Sequence, residues 1–356
     1  MATPTTEVQA PPVRNLGQQL MGVASGFQLS GCLYVAAKLN IADLVAAGPR
    51  PVETLAADTN TQADPLYRVL RALVSAGIFS EPQPRTIGLS PAAEPLRSDI
   101  PGSMRGQVLW AAHPFLMHVS SDLMHSVTTG KPAIEHLYGK PAFECFASMP
   151  EVNYDFNNGM TAISADLAPA VLDAYDFSGI TTLMDVAGGH GYFICEALKR
   201  HPQMKGILLD QPGVVEGAKC TLCDMRVDDR CQPVAGNFFE RIPAGADAYF
   251  MQHIIHDWDD ESALRILGNV RQALAASPNG RLIIVDMVLP EDSRPHPAKL
   301  LDLLMLMFPG GRERTETEWR SLLDRAGFVI TKILPTKAAD SVIEAVPRYS
   351  VLATRA

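Results

Sequence analysis

The residues best placed to do chemistry lie in Gln252-His253-Ile254-Ile255-His256-Asp257-Trp258, which ends an apolar run at 246–253 and precedes a helical pattern. In open α/β sheets, ligands gather off the carboxyl ends of the strands. A histidine there faces the reacting atoms, and its ordinary pKa of about 6.5 suits proton transfer at neutral pH. His256, at the strand-to-helix corner, is the expected general base. If the strand continued through this segment, alternation would put His253 on the opposite face. Two acids follow at later strand ends: Asp286, and Glu313 beyond the turn Pro309-Gly310-Gly311. A carboxylate on the far ring nitrogen fixes the tautomer and stabilises the imidazolium, and either acid could serve. Their neighbours Arg312 and Arg314 are compatible with a solvated position.

A second constellation points to a nucleoside-type cofactor. Leu183-Met184-Asp185-Val186-Ala187-Gly188-Gly189-His190-Gly191 runs from an apolar strand through an acid into a glycine turn and then a helical segment, Tyr192–Arg200. Such glycines let backbone approach a ligand beside the unpaired N–H groups of a helix start. A further strand, Gly206-Ile207-Leu208-Leu209, ends in Asp210, placed for a ribose diol. The dinucleotide fingerprint requires a third small residue, but counting from Gly189 that place falls on Ile194. The turn therefore suits S-adenosylmethionine better than NAD.

The elements that must position these residues fit a chain of 356 residues, enough for two domains and a sizeable core at 47% hydrophobic content. A formal charge of −9 argues against nucleic-acid binding, which needs clustered Lys and Arg. Six scattered cysteines read as free thiols of a reducing cytoplasm. Cys220-x-x-Cys223 with Cys231 lacks the fourth ligand of a zinc site, so no metal is expected. Residues 1–14 form a polar, Pro- and Thr-rich lead-in without a signal-peptide core, and no run of 18 apolar residues exists to cross a membrane.

Residues 15–100 read as short helices with two wing-like strands, Ile78–Ser80 and Thr86–Leu89, a winged-helix-like pattern. Residues 31–100 carry six Lys and Arg against seven Asp and Glu, a poor balance for reading DNA and better suited to a dimerisation scaffold. Residues 101–178 are helical and rich in Met, His and aromatics, including Trp110, Phe156 and Met160, a stripe that suits either core or the wall of an acceptor pocket. From 179 to 356 strands alternate with helices. Strands are expected at 181–187, 205–210, 231–236, 246–253 and 281–288, giving a doubly wound α/β sheet. Helix 259–275 is stopped by Pro278-Asn279-Gly280. Thr315-x-x-Glu318 is a capping box opening the helix that runs to Arg325. Val329–Leu334 and Tyr349–Thr354 are expected as two edge strands separated by a loop, the last inserting antiparallel to make seven strands.

Together these segments resemble the plant-type small-molecule O-methyltransferases, of caffeate and hydroxyindole type, with bacterial members in secondary metabolism. The resemblance runs from about residue 15 and rests on Thr129–Ala133, Asp185–Gly191, Asn237-Phe238-Phe239-Glu240, His256-Asp257-Trp258-x-Asp260-Glu261 and Gly310–Thr315. It implies an N-terminal homodimerisation domain and a class I, Rossmann-like S-adenosylmethionine sheet, with S-adenosylhomocysteine as product. It implies His256 as base flanked by Asp286 and Glu313, and Asp185, Gly188 and Gly189 at the methionine part of the cofactor. Asp210 would meet the ribose, Asn237 and Phe238 the adenine, and Gln252 and Ser164 the remaining polar part. Phe156, Asn157, Met160 and Met305 would line the pocket of a small aromatic acceptor, to which the aromatic stripe adds Trp110. The sequence departs from the family pattern at Ala187, in place of a glycine, a small change if its φ is negative. Asn237 stands for the usual Asp, Gln252 where plant members often have Lys, and Asp286 for the common Glu.

The expected reaction is removal of an acceptor hydroxyl proton by His256 with in-line attack on the methyl group. Alternatives are N-methylation, hydroxylation or decarboxylation by a cofactor-binding relative, and a winged-helix regulator sensing the cofactor.

Overall fold

The computed structural model describes residues 16–277 and 279–348, so the lead-in 1–14, Pro278 and the expected strand Tyr349–Thr354 lie outside the described residues. The chain divides into two compact units, one up to Arg97 and one from Ser98 onward.

In the first unit, helices α1 (Leu16–Ala24) and α2 (Gly26–Lys38) are followed by α3 (Ala63–Ser75), whose Leu66, Leu70 and Leu73 are buried as their spacing predicts. A three-stranded antiparallel sheet places Thr86–Gly88 between Arg50–Pro51 and Ser80–Gln83. Helix α1 buries no residue: Leu16, Leu20, Met21, Val23 and, on α2, Phe27 are between 64% and 83% exposed. Among the described residues no single helix is long and apolar enough to cross a membrane, although α1 and α2, bent by 47°, pass that test as a pair.

The second unit is built on seven strands: β1 (Thr182–Val186), β2 (Lys205–Asp210), β3 (Cys231–Ala235), β4 (Ala248–Gln252), β5 (Arg281–Asp286), β6 (Phe328–Pro335) and β7 (Ser341–Pro347). Their spatial order is β3-β2-β1-β4-β5-β7-β6. The first five are mutually parallel, and β7 lies antiparallel to both β5 and β6. This order matches the class I, Rossmann-like sheet that the resemblance implies, with apolar clusters on both of its faces. Continuous apolar runs such as Ala248-Tyr249-Phe250-Met251 fit strands covered on both sides.

The last strand among the described residues is Ser341–Pro347, in a segment expected to be loop. Its central Glu344 disguises it. That side chain is only 5% exposed and accepts hydrogen bonds from Tyr175 Oη and Thr331 Oγ1, with Lys332 and Arg281 nearby. A buried acid so paired is tolerated in a strand, but its partners come from distant parts of the chain.

The helical stretch before the sheet packs through small residues. Helix α4 (Pro150–Ala174) lies against the helix Arg105–Ala111. A Cβ on Gly159 would come within 2.6 Å of Trp110, and one on Gly106 within 2.8 Å of Ala162. These two glycines bring Trp110 onto α4, beside Phe156 at a ring distance of 5.1 Å. Helices α5 (Tyr192–Arg200) and α6 (Pro212–Asp224) follow β1 and β2.

Candidate active site

The site assembles where β4 ends. The strand stops at Gln252, and His253 takes a left-handed φ of +55°. Ile255–Asp257 then form a 3₁₀ turn leading to Asp259, the N-cap of helix α7 (Asp260–Leu274). Strand alternation therefore does not extend through this segment. Instead of facing opposite ways, the His253 and His256 rings lie near-parallel, with centroids 5.3 Å apart and planes tilted by 15°.

A loop after helix α8 (Ala298–Met307) closes on this turn. Arg312 N–H donates to His256 O at 2.8 Å, and a Cβ on Gly311 would lie 2.0 Å from that same oxygen. The approach needs glycine. It delivers Glu313, whose Oε1 is 2.7 Å from His256 Nδ1, and whose backbone N–H is held by Asp302 at 2.8 Å. Asp286, at the end of β5, reaches only 3.4 Å from Nδ1. Of the two acids, Glu313 is thus the hydrogen-bonded partner. Arg314 is buried, at 1% exposure, and does not reach into solvent. It donates to Ile255 O and Trp258 O and pairs with Asp260, stapling the turn that carries His256. Arg312 pairs with Glu318 at the surface, and the Thr315–Glu318 capping box opens helix α9 (Glu316–Arg325).

Burial opposes charge on His256, but Asp286 and Glu313 outweigh it and raise the pKa to about 10. Burial, only partly offset by His256, pushes Asp286 up to about 7. With Nδ1 committed to Glu313, Nε2 is the atom left for an acceptor proton. Asp257, 3.7 Å from Nε2, was not singled out from the sequence, nor was Asp340, which binds the far edge of His253. Asp257 has a signal in its place within His256-Asp257-Trp258-x-Asp260-Glu261, whereas Asp340 has none beyond its acidity.

The glycine turn after β1 is built on Asp185. A Cβ on Gly188 would come within 2.4 Å of Asp185 Oδ2. Burial, with the charge of Asp210, raises the pKa of Asp185 to about 8, and its Oδ2 has no hydrogen-bond partner among the described residues. Asp210 accepts from Gly189 N–H at 2.8 Å and Gln211 N–H at 2.6 Å; burial nonetheless raises its pKa to about 6. Ala187 has a φ of +59°, so the condition under which replacing a glycine there would be a small change is not met. Gln252 Nε2 donates to Ser164 Oγ at 3.1 Å, leaving the buried Gln252 Oε1 without a partner. Asn237 Oδ1 accepts from Phe239 N–H at 3.0 Å and its amide donates to Glu240, so it caps its own turn beside Phe238. The cradle at Gly188, with the orphaned Asp185 Oδ2 against it, and the unpartnered Gln252 Oε1 at the end of the neighbouring strand β4 fit a ligand that brings donors and a ribose.

Trp110, Phe156 and Met160 share one apolar cluster with Phe115, Phe146, Met307 and Phe308. Asn157 donates back to Asn153 O, and Met305 is buried on α8. Among the described residues, Asp122, His125 and His136 could approach one metal ion; the two rings lie parallel, 4.1 Å apart, so their lone pairs run side by side. Cys220 and Cys223 are exposed, whereas Cys231 is buried on β3.

Residues 120–329 match the O-methyltransferase domain family, and residues 21–97 match the O-methyltransferase dimerisation domain. A phenazine O-methyltransferase of Lysobacter antibioticus is 41% identical over 93% of this chain and 96% of its own. An 8-amino-8-demethylriboflavin N,N-dimethyltransferase of Streptomyces davaonensis is 35% identical over 94% and 96%. A solved O-methyltransferase from neocarzinostatin biosynthesis, in complex with S-adenosylmethionine and 2-hydroxy-5-methyl naphthoic acid, has a TM-score of 0.78 at 29% identity, covering 94% of this chain and 100% of that one.

Proposed function

The chain belongs to the O-methyltransferase family, and from that premise we propose that it transfers a methyl group from S-adenosylmethionine to a hydroxyl of a small, planar aromatic or polyketide-like acceptor, with His256 as general base. The observation that carries this reading is the His256 imidazole, buried at the end of β4, with Glu313 on Nδ1 and Nε2 left free of a hydrogen-bonded partner. When bound, S-adenosylmethionine supplies an electrophilic methyl on a sulfonium centre. Asp210 would accept the ribose hydroxyls, and Gly188 and Gly189, floored by Asp185, would admit the methionine part. Gln252, steadied by Ser164, offers an unpaired carbonyl to a cationic or donor group, and Phe238 with Asn237 would border the adenine.

Trp110, Phe156, Asn157, Met160 and Met305 would present the acceptor. His256 Nε2 takes the hydroxyl proton as the oxygen attacks, and Glu313 stabilises the imidazolium that results. Asp286 and Glu313 raise the proton affinity of His256 to about that of an ordinary phenol, pKa about 10; the same shift keeps the ring mostly protonated at pH 7, so turnover should rise with pH toward that value. Incubation with labelled S-adenosylmethionine and a panel of hydroxylated phenazines, naphthoates and polyketides tests this. S-adenosylhomocysteine formed in proportion to an O-methylated product supports it; its release with an unmethylated acceptor sinks it.

N-methylation is a second reading, favoured by the N,N-dimethyltransferase relative. Amine analogues in the same panel discriminate the two. The exposed apolar residues of α1 and α2, with the dimerisation-domain match, support a homodimer. Cytoplasmic location is proposed from the six free-thiol cysteines.

A further inference from the structure

His253 is bound up with the base far more closely than its place in the sequence suggests. Its left-handed backbone is locked by its N–H, which donates to Val285 O at 2.9 Å. On one side its ring lies along His256 at 5.3 Å; at its edge, Nε2 is 2.6 Å from Oδ1 of Asp340, itself 5% exposed. Asp340 sits immediately before β7, so the antiparallel strand inserted beside β5 delivers it. A strained backbone persists only where its surroundings over-determine it, and here the result is two parallel imidazoles, each with a carboxylate at its edge.

The charges around the base are lopsided. His256 faces Glu313 at 2.7 Å and Asp286 at 3.4 Å on Nδ1, and Asp257 at 3.7 Å near Nε2. All three favour a proton on the ring that must be free to accept one. His253 faces Asp340, Asp286 and His256. We propose that Asp340 and His253 are a positioning pair for the base: Asp340 keeps His253 cationic, and this second ring, lying along His256, fixes its plane and repels a premature proton from it. In support, burial opposes charge on His253, but Asp340 outweighs it and raises its pKa above the ordinary value.

The proposal rests on His256 being the base, and its test separates the two ideas. Imidazole ¹⁵N titration of the enzyme saturated with S-adenosylhomocysteine reads the His256 ionisation without any acceptor; the resonance is assigned by its loss in His256→Ala. Two charges at this separation interact by about one pH unit or more at an intermediate dielectric. His253→Asn, which tolerates the left-handed backbone, should move the His256 titration up by about that much. Asp340→Asn should move it the same way by less, and serves if His253→Asn does not fold. With a hydroxyphenazine that the enzyme methylates, the acid limb of kcat should shift up in parallel, so activity falls about ten-fold at any pH well below the His256 pKa of about 10 and the loss closes as pH rises past that limb, with KM for S-adenosylmethionine within about three-fold. A merely structural role would lower kcat equally at every pH. An unmoved His256 titration in the folded variants overturns the pair's role and leaves the base assignment standing. A moved titration with an unmoved kcat limb overturns instead the base assignment.

Discussion

Gly311 and His256 are in backbone contact: the α-carbon of one is so close to the carbonyl oxygen of the other that a methyl group between them would lie 2.0 Å from that oxygen. Real Cβ atoms do not approach so closely, so Gly311→Ala must push the loop away and draw Glu313 from Nδ1. Turnover should fall at least ten-fold while cofactor affinity stays within about three-fold, since positioning errors of about 1 Å cost up to 10²-fold in rate. Equal kcat values for variant and parent would show that this loop does not hold the base.

His256→Ala should cut turnover by roughly 10²–10⁴, the usual worth of general base catalysis, with cofactor affinity nearly unchanged. Glu313→Gln should cost more than Asp286→Asn, because Glu313 holds the 2.7 Å contact and Asp286 stands at 3.4 Å. Steady-state kinetics on one acceptor ranks the three; near-parental turnover by His256→Ala removes the general-base role.

Asp210 should tie cofactor affinity to pH. Its pKa is raised to about 6, and the ionised form is the better acceptor for ribose hydroxyls. Affinity for S-adenosylmethionine should therefore be flat above pH 7 and fall as pH drops through about 6. Asp210→Ala should weaken binding about ten-fold or more, since a hydrogen bond to a charged group is worth roughly 1.5–3 kcal/mol. Calorimetric titration at pH 5.5 and 7.5 checks both, and equal affinities at the two values remove Asp210 from the ribose contact.

Ala187, at φ +59°, occupies backbone space that favours glycine. Left-handed geometry costs an L-residue about 1–2 kcal/mol, and glycine gives back about 0.5–1 kcal/mol in chain entropy. Ala187→Gly should thus raise the melting temperature slightly. A clear drop would mean that the methyl group packs usefully in the turn.

The exposed apolar face of α1 and Phe27 should be covered in a dimer. Light scattering should give twice the 38.5 kDa chain mass, and Leu16→Glu with Leu20→Glu should shift the enzyme toward monomer. A parent that stays monomeric at micromolar concentration contradicts this.

Much of the catalytic sheet was legible because its strands are apolar on both sides and end in residues with chemistry. Asp185, Asp210, Gln252 and Asp286 all stand at or next to strand ends, where strand reading could find them. The parts that were not legible depend on contacts distant in sequence. Glu344 looks like a loop residue until Tyr175 and Thr331 are beside it, and Arg314 looks solvated until the carbonyls of Ile255 and Trp258 surround it. The sign of φ at Ala187 and the stacking of His253 on His256 follow from how the backbone leaves β1 and β4, which no side-chain pattern encodes.

The insertion of β7 between β5 and β6 has a consequence for biosynthesis. The glycine turn and Asp210, the proposed cofactor cradle, come from the first two strands of the sheet and are translated first. His253, His256 and Asp286 follow, but Glu313 and then Asp340 are translated later still, and Asp340 arrives only with the hairpin that must wedge in beside an existing β5 edge. Completion of the site thus waits for the C-terminal hairpin, and until β7 fills it the unpaired β5 edge is the surface a chaperone would have to shield.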